Sequence, residues 1–134
     1  MRSSVRAQLR PREGLNVSLR ALIAGIIACA ALAMIAAAIL GLIMYRTLLP
    51  EAMLPSIMGA VNLVALICGG YFAGRKAENA GWLNGGLAGL LYTALLLVLG
   101  MFFFPGPTAA WTAVRRLLVG FVLGGLGGTV GVNT

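Results

Sequence analysis

Residues 21–45 read ALIAGIIACAALAMIAAAILGLIMY, twenty-five positions without a charge. At about 1.5 Å of rise per helical residue, the run exceeds the ~30 Å hydrocarbon core of a bilayer. This stretch therefore sets the solvent of the fold, which is lipid. Arg2, Arg6 and Arg10 precede it, as basic residues precede the core of a secretory signal. A signal's apolar region, however, spans about 7 to 15 residues. Here the run continues through Leu40 and Met44 until Arg46 stops it, so it reads as an uncleaved first span.

Outward from this helix, residues 56–74, 82–104 and 117–132 are equally poor in charge. The composition, 60% hydrophobic and 10% charged, lies far from the soluble-domain norm of roughly a quarter charged. Four helices of about twenty residues leave no room in 134 residues for a separate soluble domain. The apolar runs lack the alternation of barrel strands, and backbone in lipid must satisfy its own hydrogen bonds, so helices are the choice. The expected fold is an all-α membrane protein, a compact bundle of four transmembrane helices packed through faces of glycine and alanine. Residues 1–18 form a basic arm and 19–134 the transmembrane domain, with spans near 19–45, 56–74, 81–104 and 109–132.

Ten basic residues against three acidic ones give a net charge of +7, and their placement sets the topology. Arg2, Arg6, Arg10, Arg12 and Arg20 precede the first span, and Arg75 and Lys76 lie between the second and third. Only Arg46, Arg115 and Arg116 fall on the other side. The positive-inside rule then puts both termini and the Arg75 connector in the cytoplasm of a bacterial cell, in a multi-pass cytoplasmic-membrane protein. Arg2, Arg6 and Arg10 recur every four residues, a basic turn suited to anionic headgroups rather than to nucleic acid. Tyr45, Phe102, Phe103, Phe104 and Trp111 would anchor the outer interface, and Tyr71, Phe72 and Trp82 the inner one.

Read at four-residue intervals, the first span gives Ala21, Gly25, Cys29, Ala33, Ala37 and Gly41. The second carries Ala65, Gly69 and Ala73 with Gly70 and Gly74 beside them; the third Gly81, Gly85 and Gly89; the fourth Gly120, Gly124 and Gly128. Lipid supplies little hydrophobic drive between helices, so close packing through such small-residue files is what holds a bundle together. The fourth span is so rich in glycine that a locally unwound helix lining a path is the sharper alternative to plain packing. Residues 69–74 loosely echo 124–128, although glycine-rich helices match one another easily. Thr108, after Pro105-Gly106-Pro107, is a candidate N-cap for the last helix.

Candidates for chemistry are few. The chain contains no histidine or aspartate, and Glu13, Glu51 and Glu78 lie outside the spans and far apart. No carboxylate pair or metal-ligand cluster emerges, so neither an enzyme nor a cofactor or metal site is expected. Cys29 and Cys68 are solitary and behave as small apolar residues. No acidic residue, histidine or lysine lies within a span, which argues against proton-coupled transport. Asn62 is expected to bond between helices, while Arg115 and Arg116 could snorkel, pair with Glu51 or form an anion-attracting ring.

Residues 69–92 read GGYFAGRKAENAGWLNGGLAGLLY. The Gly-Gly-x-x-Ala-Gly-Arg-Lys hairpin followed by Gly-Trp-Leu-x-Gly-Gly resembles the central signature of the uncharacterised YrzE-like family of small bacterial membrane proteins. The resemblance implies a four-span architecture with a basic N-terminal arm and carries no assigned activity. On these readings Arg75, Lys76 and Glu78 offer a docking turn, and Arg75, Lys76, Glu78, Asn62, Arg115 and Arg116 are the candidate partner or anion contacts. The leading expectation is a non-catalytic accessory or scaffold subunit in the lipid bilayer, forming a homo-oligomer or joining a larger membrane complex through its glycine faces. The alternative is an oligomeric channel or carrier for a small solute or anion. A holin-like lytic protein is a third, disfavoured class.

Overall fold

The computed structural model describes residues 17–48, 50–77, 79–107 and 109–134. Within them the chain forms α1 (Leu19–Arg46), a single 3-10 turn (Glu51–Met53), α2 (Leu54–Lys76), α3 (Gly81–Phe103) and α4 (Ala110–Asn133). All four helices are long and apolar enough to cross a membrane, and no strand occurs among the described residues. Arg2, Arg6, Arg10 and Arg12 of the basic arm lie outside the described residues, as do Glu78 and Thr108.

The helix boundaries have local causes. α2 begins before residue 56 because Pro55 sits in its first turn, where a missing N–H leaves no helical bond unmade. Arg75 and Lys76 occupy its last turn, where the helix end favours cations. α4 starts at Ala110 with Ala109 at the cap position and no side-chain cap bond, one residue beyond the expected start at 109. α3 follows Ala80, whose φ of 53° and ψ of 51° place a non-glycine residue in the left-handed region. That conformation strains an L-residue by about 1–2 kcal/mol and turns the chain sharply between α2 and α3.

The helices run alternately up and down. Residues 18, 84, 132 and 134 lie at one end: the Ser18 N–H donates to the Asn84 side chain, a Cβ at Gly81 would collide with Val132, and the Thr134 hydroxyl donates to the Tyr71 hydroxyl. This is the near end, and the opposite one, with Tyr45, Phe104 and Trp111, is the far end. α4 packs most extensively on α3 and α2, and α1 packs on α2 and α3. Among the described residues α1 and α4 do not touch, so the α2–α3 hairpin is held between them.

The two hairpins α1–α2 and α3–α4 close in the same way. A Cβ at Gly69 would strike Cys29 and the Gly25 carbonyl, and one at Gly25 would meet the Ala73 Cβ at 2.8 Å and the Gly69 carbonyl at 3.0 Å. In the second hairpin a Cβ at Gly124 would strike the Gly85 carbonyl and lie 3.1 Å from the Gly89 Cα. One at Gly85 would strike the Gly124 carbonyl and lie 2.7 Å from the Gly128 Cα. Gly25, Cys29, Gly69 and Ala73 thus occupy the places that Gly85, Gly89, Gly124 and Gly128 take in the other hairpin. The echo between residues 69–74 and 124–128 has a packing counterpart.

Candidate functional site

Small residues carry the near half of the bundle. Gly124 and Gly128 meet the second helix as well as the third: a Cβ at Gly70 would collide with Gly124, and one at Gly74 with Gly128. Gly120 and Gly89 approach each other in the same manner, beneath the Thr93 hydroxyl. α4 uses a second file that the four-residue reading passed over. Cβ atoms at Gly127 and Gly131 would run into the Ile67 and Tyr71 carbonyls. Two adjacent glycine files on one helix signal contact with two neighbours rather than one, and that doubling was visible in the sequence. Cys29 is buried and its thiol donates to the Ala65 carbonyl at 3.3 Å, while Ala33 packs at the edge of the cluster formed by Cys29, Leu66 and Tyr92.

Gly41 departs from the expected packing role. It is exposed, and a Cβ there would meet nothing within 4 Å. The reason lies in α1, whose buried residues Ala21, Leu22, Gly25 and Cys29 all fall in its first half; in the second half only Ala33, Ala36, Leu40 and Met44 are half-buried, a face that leaves Gly41 outside.

At the near end one polar residue ties the elements together. Asn84 is fully buried; its oxygen accepts from the Ser18 N–H at 2.9 Å, and its amide donates to the Asn79 and Ala80 carbonyls, both at 3.3 Å. It joins the start of α1 to the strained connector before α3. Nothing in its local sequence gave Asn84 this role. Arg75 and Lys76 are exposed beside this connector.

Towards the far end the same helices separate. Between α2, α3 and α4 they leave a half-open cleft of about 710 Å³. Pro55, Asn62 and Leu66 mark successive levels down its α2 wall, Thr93 and Leu97 belong to α3, and Thr112, Arg115 and Arg116 come from the first turns of α4. Pro55 and Leu66 are eleven residues apart, so the cleft is about 16 Å deep at ~1.5 Å per residue. Its floor lies where Leu66 and Thr93 are buried and Gly120 closes against Gly89, near the middle of each helix. Below that level the glycine contacts leave no passage.

The chemistry of the cleft is cationic. Arg115 and Arg116 line its α4 wall five and four residues above Gly120 and are exposed, with stems long enough to carry the guanidinium groups towards the mouth, and no carboxylate lines it among the described residues. No ion pair with Glu51 forms there among the described residues, so both guanidinium groups retain their charge for another partner. α2 and α4 also begin at this end, and Pro55 and Thr112 place their first turns on the cleft wall. Helix N-termini carry partial positive charge, which favours anions, although the Thr112 N–H is already given to the Ala109 carbonyl at 2.8 Å and Pro55 has no N–H to offer. Asn62 is half-buried and forms no side-chain hydrogen bond among the described residues, so the interhelical bond expected of it is not made. Thr93, by contrast, donates to the Gly89 carbonyl at 2.8 Å. The sequence thus named Asn62, Arg115 and Arg116 separately, and the structure brings them to one cavity. Among the described residues no group of His, Cys, Asp or Glu could hold a metal ion.

The chain matches the family described as "Protein of unknown function (DUF3792)" over residues 18–131. It is 28% identical over 111 residues to the uncharacterized membrane protein YrzE of Bacillus subtilis (strain 168), an alignment covering 81% of this chain and 72% of that protein. No solved structure matches it. The family match runs from the residue before α1 to the last turn of α4 and so takes in both the glycine-closed half and the cleft. This four-helix membrane protein belongs to the DUF3792 family.

Proposed function

We propose that this protein is a non-catalytic membrane protein that binds an anionic ligand in the far-end cleft. The observation that carries the reading is the convergence of Arg115, Arg116 and the unbonded Asn62 on one cavity that no carboxylate lines among the described residues. Arg115 and Arg116 stand in the second turn of α4, where long stems can lift their charge to headgroup level and meet an anion there. In this conformer the cleft is a blind pocket, closed beneath by the glycine contacts, so one chain is a binding protein rather than a through-pore. With Arg75 and Lys76 at the near end, the positive-inside rule orients the cleft away from the cytoplasm.

A second reading, the accessory or scaffold subunit, has support of its own. Most of the glycine faces that suggested outside partners are occupied within the chain, but Ala37 and Gly41 on α1 are exposed, and a Cβ at Gly41 would meet nothing within 4 Å. A homo-oligomer or a larger complex assembling there would leave the cleft free.

Binding is tested with the full chain in nanodiscs of neutral lipid, titrated with inorganic phosphate and followed by the backbone amide resonances of Asn62 and Thr112. The expected result is a saturable shift in the millimolar range that R115Q/R116Q abolishes. No saturable shift, or one that the double variant retains, would overturn the anion reading.

A further inference from the structure

We infer that the cleft takes an acyl-chain amphiphile with an anionic head, the head held at Arg115 and Arg116 and the chain laid between α2, α3 and α4; this rests on the anion-site reading above. The walls below the rim are the first argument. Leu63 and Leu66 on α2, Leu96 and Leu97 on α3 and Val119 on α4 present hydrocarbon. A small hydrated anion would have to give up water against these side chains without recovering hydrogen bonds. A ligand with an apolar body meets the same walls with a gain roughly proportional to the area it removes from water.

Depth is the second argument. About 16 Å from rim to floor, at ~1.5 Å per residue, is half of the ~30 Å hydrocarbon core. The cleft therefore spans a single leaflet. Its mouth lies at the level of Tyr45, Phe102 and Trp111, exposed aromatic side chains of the kind found at headgroups. A head at the arginines and a chain reaching the floor would keep the orientation that a lipid has in the surrounding leaflet.

Entry and polarity agree with this. Leu63 and Val119 are exposed as well as lining the cleft, so it opens sideways towards lipid. Asn62 is four residues above Leu66 and Arg116 four above Gly120, so at ~1.5 Å per residue their backbones share a level, and the amide can donate to the head or to the carbonyl that joins it to its chain while the arginine stems reach towards the mouth. The volume of about 710 Å³ lies within the ~300–1,000 Å³ typical of small-molecule sites.

The test is native mass spectrometry of the full chain in neutral detergent, with four probes: phosphatidylglycerol, phosphatidylcholine, hexadecyl phosphate and inorganic phosphate. One acyl anion is expected per chain, bound at least 100-fold more tightly than inorganic phosphate and at least tenfold more tightly than phosphatidylcholine. Preference for phosphatidylglycerol would identify a leaflet lipid as the source, and preference for hexadecyl phosphate a single-chain ligand. R115Q/R116Q should weaken binding at least tenfold. Leu97→Trp, which fills the cleft and leaves the arginines in place, should weaken the acyl anions and spare inorganic phosphate. Phosphate binding with no gain from the acyl chain would overturn this inference and leave the anion site standing. Equal binding of phosphatidylcholine would overturn the headgroup assignment, and failure of every anion to bind would remove both readings.

Discussion

The near and far halves of this bundle use the same three helices to opposite ends. Below Leu66, Thr93 and Gly120, α2, α3 and α4 approach until backbone touches backbone, with Gly70, Gly74, Gly85, Gly89, Gly124 and Gly128 removing the side chains that would hold them apart. Above that level the residues facing inward are Met58, Asn62, Leu97, Arg115 and Arg116, and the helices stand off to leave a cleft. Side-chain size accounts for most of the difference, although Gly59 also lines the cleft and a Cβ there would meet nothing within 4 Å. Where lipid supplies little drive for association, a helix pair closes only where its residues are small enough for dense van der Waals contact. The site exists because the glycine files stop halfway along the membrane.

The strongest way to break this comparison is to give the near half a side chain. Gly124→Leu should abolish the folded bundle, because Gly124 has backbone of both α2 and α3 against it. Gly124→Ala should destabilise by about 1–3 kcal/mol of overpacking, part of which helix propensity returns. Reversible unfolding in detergent micelles would measure both; an alanine variant as stable as the parent would show that the glycine contacts are not what closes this half.

Asn84→Leu comes next. It leaves the Ser18 N–H and the connector carbonyls without their partner, at a cost of about 1–3 kcal/mol. Hydrogen exchange should rise first in the opening turn of α1, ahead of α3, if Asn84 is what ties them.

The arginines should behave otherwise. R115Q/R116Q should stay within about 0.5 kcal/mol of the parent in stability, as exposed substitutions do, while anion binding falls at least tenfold. A large stability loss would make the pair structural and would blur the line between the halves.

Two smaller effects sharpen the contrast. Ala80→Gly should stabilise by up to about 1 kcal/mol, the left-handed strain relieved less the extra freedom of glycine in the unfolded chain. Gly41→Ala should be tolerated, with a gain of up to about 1 kcal/mol in helix propensity, since its Cβ meets nothing. The same change at Gly41 and at Gly124 thus has opposite signs, and thermal unfolding of the two variants side by side would check that.

Much of the fold was legible because hydrophobic length and small-residue spacing are local properties of a chain. The four spans came from uncharged runs, and the files through Gly25, Gly69, Gly85 and Gly124 from their four-residue period. Gly41 shares that period and yet packs on nothing, because spacing says which face is small but not which face a neighbour covers. Asn84 passed unnoticed since its partners, Ser18 and the connector, are distant in sequence or unremarkable in type. Arg115 and Arg116 were conspicuous as charges near a span, and Asn62 as a lone amide. That they share a cavity depends on α2 and α4 lying side by side, which no local pattern encodes.

The most direct test of the central claim is residue-resolved hydrogen exchange of the full chain in neutral nanodiscs, repeated with phosphatidylglycerol. The account predicts faster exchange around Asn62, Thr112 and Arg116 than around Gly70, Gly124 and Gly128, with the lipid adding protection only in the first group. Uniform protection along α2 and α4 without lipid, or added protection confined to the glycine half, would contradict it.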